Sequence, residues 1–252
     1  MQAEERQFLI EQHLQKVEFA SLEELSEKVD VSVSTVRRDL TLLETKGNIR
    51  RTHGGARLVT PKSDEFAFTA RDTHQLSEKD AIGQAAAELV QPNQGVIVDA
   101  GTTAYHVAKH LGGKASHIIT NSLPVANHFG SDNSVEVLVT GGVIYPRLGV
   151  LVGPLAVESL SKMHADVAIM SGGGITMDGI TNSHALLIDI QRAMLQSAQR
   201  IIFCLDHTKF NRRSVSPLCE LYAIDTIVTD AQASADLVGQ LKQTNTQVVI
   251  AS

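Results

Sequence analysis

The stretch Ser34–Gly47, STVRRDLTLLETKG, sets Arg37 and Arg38 side by side near the start of an amphipathic pattern. A guanidinium can make a paired hydrogen bond to a guanine edge in the major groove, and Ser or Thr hydroxyls reach bases or phosphates from the first turns of a helix. A second set of residues suits a different task. Asp99-Ala100-Gly101-Thr102-Thr103 joins an apolar run to a helical one, so the free N–H groups of a helix start and two hydroxyls can hold a phosphate. No Gly-Lys-Ser/Thr follows, so this is not a Walker loop.

Such groups act only when secondary structure aims them. Val33, Val36, Leu40 and Leu43 recur at helical steps and make one apolar stripe, with Ser32 as the predicted cap and Gly47 as the stop. At about 100° per residue, Arg38 falls almost opposite that stripe. Ser34, Thr35, Thr41 and Thr45 share its outer surface, and Arg37 lies on the flank, better placed for phosphate. Upstream, Ser21 and Glu24 have the spacing of a capping box and open the short helix LEELSEK. Residues 5–17 form a looser helical pattern whose apolar positions are Phe8, Leu9, Leu14 and Val17. Downstream, NIRRTHGGARLV alternates into and out of Gly54-Gly55 and predicts a hairpin carrying Arg50, Arg51, His53 and Arg57. The glycine pair lets the hairpin tip come close to a backbone or groove. Three helices and a hairpin predict a winged helix-turn-helix over residues 1–58.

Charge agrees with that placement. The whole chain of 252 residues carries a net charge of -6, which argues against a uniformly basic nucleic-acid binder. Between Arg37 and Arg57, however, six basic residues face Asp39 and Glu44, giving +4 locally and -10 elsewhere.

Residues 59–76, with Pro61, Lys62, Ser63 and Asp64, read as a linker in which Phe66 and Phe68 dock on a neighbour. From residue 77 to 252 short Val/Ile-rich runs alternate with helical segments: GVIVDAG, SHIITNS, EVLVTGG, DVAIMSGGG, RIIFCLDHTKF, DTIVTD and QVVIAS are the strands. That alternation predicts an α/β fold with a doubly wound, mainly parallel sheet. A hydrophobic content of 43% with 4% aromatic residues fits a core of aliphatic side chains packed between helices.

In a doubly wound sheet, ligands collect outside the carboxyl ends of the strands. Polar and glycine residues gather at those ends. They predict a pocket with an oxyanion cradle at Gly101, Thr102 and Thr103, and cationic help from Lys209 and Arg147. Asp99, Asn121 and Asp206 would read hydroxyls, with Gly141, Gly142 and Gly174 at further strand ends. A phosphorylated sugar fits this chemistry.

SLEELSEKVDVSVSTVRRDLTLLETKGNIRRTHGGA resembles the N-terminal domain of the DeoR-type bacterial transcriptional repressors. The likeness continues through EKDAIGQAAAELV, VDAGTTAYHVAKHL, TNSLPVAN, TGG, GGGIT and DHTKF, nearly the whole chain. It implies a repressor of sugar metabolism that binds double-stranded operator DNA and senses a sugar phosphate. It also implies that the second domain is similar to ribose-5-phosphate isomerase, whose phosphate loop resembles the GTT here. The chain departs from the family at Leu187, near which many members carry a glutamate.

That likeness raises an alternative, a sugar-phosphate isomerase-like enzyme with a fused winged helix. Isomerase chemistry needs a positioned base beside the substrate carbon. IMSGGGIT offers glycines there, so no catalytic residue is assigned, although Asp99, Asp178, Asp189 and Asp206 keep the alternative open.

The ten histidines lack metal-ligand spacing, and Cys204 and Cys219 read as reduced structural thiols, so no metal or cofactor is expected. No apolar run approaches the roughly 20 residues of a membrane span, and the first residues lack a basic leader. The expectation is a cytoplasmic homodimer or homotetramer, because operators mirror protein symmetry.

Overall fold

The computed structural model describes residues 3–17, 19–45, 49–52, 54–58 and 67–251, without the side chains of Glu4, Gln15, Lys16, Arg50, Arg57 and Leu58. The chain forms two compact units, residues 1–65 and 66–252.

The first unit runs α1 (Ala3–Val17), β1 (Phe19–Ser21), α2 (Leu22–Val29), α3 (Val33–Thr45), β2 (Ile49–Thr52) and β3 (Gly55–Leu58). Its antiparallel sheet has the order β1-β3-β2. The core joins Val36, Leu40 and Leu43 of α3 to Leu25 and Val29 of α2, and to Ile10 and Leu14 of α1. Val33, the first residue of the predicted stripe, is only partly buried. In α1 the inward face is Gln7, Ile10 and Leu14, whereas Phe8, Leu9 and Val17 are exposed. The predicted apolar set there is therefore corrected: α1 turns its i, i+3, i+7 row inward, and three of the four apolar residues named lie off it.

At α2 the Ser21 hydroxyl accepts the Glu24 N–H at 3.1 Å. The Glu24 carboxylate does not complete the box. It turns instead to His13 of α1, 2.8 Å away, and ties the two helices together. Asp30 takes the left-handed conformation (φ 49°), and Val31 N–H bonds back to Ser26 O at 3.2 Å, so the turn into α3 is short.

The strand β1 carries no signal in its three residues; it exists because β3 pairs with it. This revises the role of the glycine pair. Gly54 lies in the turn, but Gly55 is inside the sheet, where a Cβ would stand 2.1 Å from the Ala20 carbonyl oxygen. Gly55 is there for strand approach, not for contact with a groove. Gly47 and His53 lie outside the described residues.

The second unit begins with α4 (Phe68–Asp72), α5 (Leu76–Glu88), β4 (Gln94–Val98), α6 (Thr102–Lys109), β5 (Ala115–Thr120), α7 (Leu123–Phe129) and β6 (Glu136–Val139). It continues through β7 (Val143–Tyr145), β8 (Val150–Val152), α8 (Pro154–Ser161), β9 (Ala165–Met170), β10 (Gly174–Thr176), β11 (Gly179–Asn182) and α9 (Ala185–Gln196). β12 (Ala198–Cys204), β13 (Ser216–Cys219), β14 (Thr226–Asp230), α10 (Ala235–Leu241) and β15 (Gln247–Ala251) complete it. Seven strands form one sheet in the order β15-β14-β12-β9-β4-β5-β6, every neighbouring pair parallel. These are the seven runs read as strands from the sequence.

Both faces are covered. Val96 and Val98 of β4 pack with residues of α5, α6 and α7, while Ile97 between them packs in the opposite layer with residues of α8, α9 and α10. Strands buried on both faces explain the unbroken Val/Ile runs. Strand order reverses between β4 and β9, and that switch point sets where the polar loops meet. The two-stranded β7-β8 and three-stranded β10-β11-β13 sheets went unpredicted, being short and set among turn residues. α4 was also missed, because it lies inside the stretch read as a linker.

Candidate functional site

Two surfaces carry chemistry, one in each unit. In the first, the N-terminus of α3 is organised by Ser32, whose Oγ lies 2.9 Å from the Ser34 hydroxyl and 3.0 Å from that of Thr35. Ser32 O also accepts the N–H groups of Thr35 and Val36. Ser34, Arg37, Arg38 and Thr41 are exposed, and Thr35 is half-buried. Leu42, one turn beyond Arg38, is 53% exposed and adds an apolar contact suited to a thymine methyl group.

The acid beside the arginine pair does not share their face. Asp39 is buried, and Arg6 of α1 reaches it with Nε 2.6 Å from Oδ2, while Gln7 donates to Oδ1 at 3.3 Å. The bond to Asp39 raises the pKa of Arg6 above its usual value, against the opposing effect of burial. The outer face of α3 is thus more basic than the sequence count suggested, because one of the two acids counted there points inward.

Arg51 has an internal task as well. Its Nε donates to Glu44 Oε2 at 2.7 Å, its Nη1 to Thr41 Oγ1 at 2.9 Å, and its backbone N–H to Glu44 Oε1 at 2.9 Å. The wing is thereby stapled to α3. Arg50 and Arg57 pair across β2 and β3, so both sit on the wing, their side chains lying outside the description.

In the second unit all strands of the seven-stranded sheet are parallel, so the residues that follow those strands share one edge of that sheet. At the switch point Asp99, after β4, is buried. Its Oδ2 accepts the Ser171 hydroxyl, the Ser171 N–H at 3.2 Å and the Gln191 amide at 3.1 Å. Burial pushes the Asp99 carboxyl above the usual carboxylate range, and these hydrogen bonds oppose the shift. Gly101 precedes α6, and a Cβ there would stand 1.7 Å from Ser171 Oγ, so only glycine fits. Thr102 and Thr103 open α6 and are buried. No side chain among the described residues caps its first turn, which leaves N–H groups for an anion.

Asn121, after β5, is 1% exposed; its Nδ2 donates to Leu151 O at 3.0 Å, while Oδ1 has no hydrogen-bond partner among the described residues. A buried acceptor in that state needs a donor. Asp206, after β12, accepts the Thr208 N–H at 3.0 Å and stands 3.8 Å from Lys209 Nζ. Asp99 and Asp206 therefore shape loops, and neither is the open hydroxyl reader expected from the sequence.

Gly141 and Gly142, after β6, take φ of 70° and 117°, and a Cβ on Gly142 would lie 2.7 Å from Val152 O. Gly174 is buried in β10, where a Cβ would meet Arg212 O at 2.2 Å. It serves packing, and the partly exposed Gly172 and Gly173 form that rim instead. Arg147 is exposed on the turn between β7 and β8. Leu187 packs partly buried against Ala100, Leu148 and Val150.

Two cations here had no sequence signal. Burial lowers the pKa of Arg71 of α4, and Asp99 and Asp72 oppose the shift. Lys79 of α5 is buried and brought down to about 8, mainly by burial, with Lys209 and Arg71 lowering it further against Asp206 and Asp72. Lys209 is likewise lowered by burial, against the pull of Asp206 and with repulsion from Arg212 and Arg71. Three cations thus crowd one another at the strand ends. Arg71 was hidden in the apparent linker, and Lys79, within EKDAIGQAAAELV, was not singled out.

His207 Nδ1 is 3.0 Å from Asp230 Oδ1. Burial pushes the Cys219 thiol up to about 12 and raises that of Cys204 further. A separate cleft of about 540 Å³ lies between α9 and β13, lined by Arg192, Leu195, Pro217 and Tyr222, away from the strand-end residues. No helix among the described residues is long and apolar enough to cross a membrane.

Residues 6–62 match the DeoR-like helix-turn-helix domain and residues 74–231 the DeoR C terminal sensor domain. The chain is 35% identical to the HTH-type transcriptional repressor GlcR of Bacillus subtilis, over 94% of this chain and 93% of that one. It is 34% identical to the HTH-type transcriptional regulator GolR of Listeria innocua, over 90% and 91%. It is 31% identical to the L-fucose operon activator of Haemophilus influenzae, over 92% and 93%. Among solved structures, ribose 5 phosphate isomerase A of Neisseria gonorrhoeae is similar at a TM-score of 0.36 and 15% identity, covering 56% of this chain and 54% of that one. A likeness that loose says nothing of chemistry.

Proposed function

Given that the chain belongs to the DeoR family of helix-turn-helix transcriptional regulators, we propose that it represses a sugar or polyol catabolism operon under the control of a phosphorylated sugar. The first unit binds operator DNA through α3, which lies in the major groove, while the β2–β3 wing contacts the backbone. The sugar phosphate binds at the strand ends of the second unit and shifts the balance between high- and low-affinity arrangements. Operator symmetry makes the working form a dimer or a tetramer.

The observation that carries the DNA reading is the division of charge on α3, with Arg37 and Arg38 turned out and Asp39 turned in. The effector reading is supported by the uncapped start of α6, the buried Asn121 acceptor and the three crowded cations. The isomerase alternative loses ground because the Asp99 carboxylate is engaged by Ser171 and Gln191, leaving it poorly placed as a base. The test is selection from a randomised duplex pool, repeated with a panel of sugar phosphates, alongside thermal shift and turnover on the same panel. A salt-sensitive sequence preference, altered by a sugar phosphate that is not consumed, is expected. Rapid conversion without duplex preference overturns the proposal.

A further inference from the structure

The strand β7 is paired on one side only. β8 runs antiparallel to it, with Val143 opposite Val152 and Tyr145 opposite Val150, and no described strand lies on its other edge. Neither face is covered at its start: Val143 and Ile144, which point to opposite faces, are 69% and 54% exposed. Two more apolar side chains extend this bare surface. Val139 ends β6, the last strand of the seven-stranded sheet, and Leu155 lies in the first turn of α8; both are exposed. They belong to one patch, because only Thr140, Gly141 and Gly142 separate Val139 from Val143, and a Cβ on Gly141 would lie 3.7 Å from Leu155 Cδ2.

An apolar strand edge with neither charge nor proline is open to pairing with another chain, and monomeric proteins rarely leave contiguous apolar patches beyond a few hundred Å². From Val137 to Val157 the sequence carries one charged residue, Arg147, in a chain that is 20% charged. Past that stretch the exposed row of α8 runs from Leu155 to Glu158 and Lys162, whose side chains pair at 2.6 Å. A row with one acid and one base complements itself when a two-fold axis turns it end for end, and an uncharged strand edge does the same. Such a surface fits a second copy of the chain better than nucleic acid or a charged peptide. We propose that β7 pairs antiparallel with β7 of a second copy about a two-fold axis, joining the two β7–β8 hairpins into one four-stranded sheet with Val139 and Leu155 packed around it. This pairing rests on the reading of the protein as a symmetric DNA-binding oligomer and supplies its subunit contact. The crevice shares the same hairpin: Leu151, paired with Ile144, accepts the Asn121 amide through its carbonyl.

The test measures the mass of the full chain by light scattering and sedimentation across a dilution series. The wild type is expected as a dimer or a tetramer. Ile144→Asp sets a carboxylate on each side of the axis and should raise the dissociation constant about thirtyfold or more, as loss of a central interface contact does. The mass should then halve at concentrations where the wild type stays whole, and Val143→Lys should act the same way. Circular dichroism verifies that each variant is folded. A second measurement does not depend on the charged variants. Residues that face each other across an antiparallel pair have Cα atoms about 4.5 to 5.5 Å apart, within disulfide reach. Ile144→Cys or Val143→Cys, oxidised with diamide, should therefore give a disulfide-linked dimer well in excess of Tyr222→Cys, a thiol at the exposed Tyr222 of the cleft beside α9. An unchanged mass in the charged variants, or no excess cross-link at either cysteine, overturns the pairing, while a wild-type oligomer leaves the reading it rests on standing. A wild type that is monomeric at every concentration overturns the pairing and the symmetric oligomer together, and its preference among duplexes then decides whether DNA binding survives.

Discussion

Ser171 donates both its hydroxyl and its backbone N–H to Oδ2 of Asp99, joining the loops that leave β4 and β9 on either side of the switch point. Gly101 fits only because it leaves room for that bond.

Gly101→Ala would place a Cβ 1.7 Å from Ser171 Oγ and 2.4 Å from its Cβ. The variant should lose roughly 1 to 3 kcal/mol or more by overpacking. Denaturant melts should show the loss in the transition of the second unit, with that of the first unchanged.

Arg38→Ala is expected to cost about 1 to 3 kcal/mol of operator affinity and to relax preference at one base position. Gel-shift titration over single-base operator variants checks this; equal losses at every position would remove Arg38 from base readout. Sequence reasoning alone gives Arg51→Ala a uniform loss across all sequences. The Glu44–Arg51 staple changes that expectation: part of the loss should vanish in a Glu44→Ala background. Coupling of about 0.2 to 1 kcal/mol, usual for exposed pairs, is the expected reading of the double-mutant cycle.

Arg6→Ala leaves the buried Asp39 carboxylate without its cation, which should destabilise the first unit by about 3 kcal/mol. Asp39→Asn in the same background should return part of the loss. Urea melts followed by circular dichroism measure both.

Lys79 titrates at about 8 rather than the usual 10.5. Below that value it is charged and adds to anion affinity; as pH rises through 8 the charge is lost and phosphate should bind more weakly. Asp206, Lys209, Asp72 and Arg71 all act on the same group. In the ligand-free protein the sign is opposite: the unfolded chain keeps the proton longer, so stability should rise between about 8 and 10.5. Thermal shifts from pH 7 to 9.5, with Lys79→Met as the flat reference, check both signs.

Lys209→Ala and Thr102→Ala should leave operator binding intact while removing the response to a sugar phosphate. Operator titrations with and without the effector decide it, and an unchanged response in both variants contradicts the crevice.

The sequence by itself determined the seven parallel strands, because a strand buried on both faces needs an unbroken aliphatic run, and it determined α3, because helical spacing of Val36, Leu40 and Leu43 leaves Arg38 facing out. It also placed the polar strand ends on one edge, since parallel strands leave that result no alternative. Only the tertiary structure decided what each polar residue touches. Asp39 turned inward because Arg6, 33 residues earlier, was there to pair with it. Gly55 proved to be a strand contact because β1 packs on it, and α4 exists inside the apparent linker because Tyr105, His106 and Lys79 hold it. Local patterns record which face of an element is apolar. They do not record which distant partner will neutralise a charge or fill a close approach, since that depends on how the elements pack.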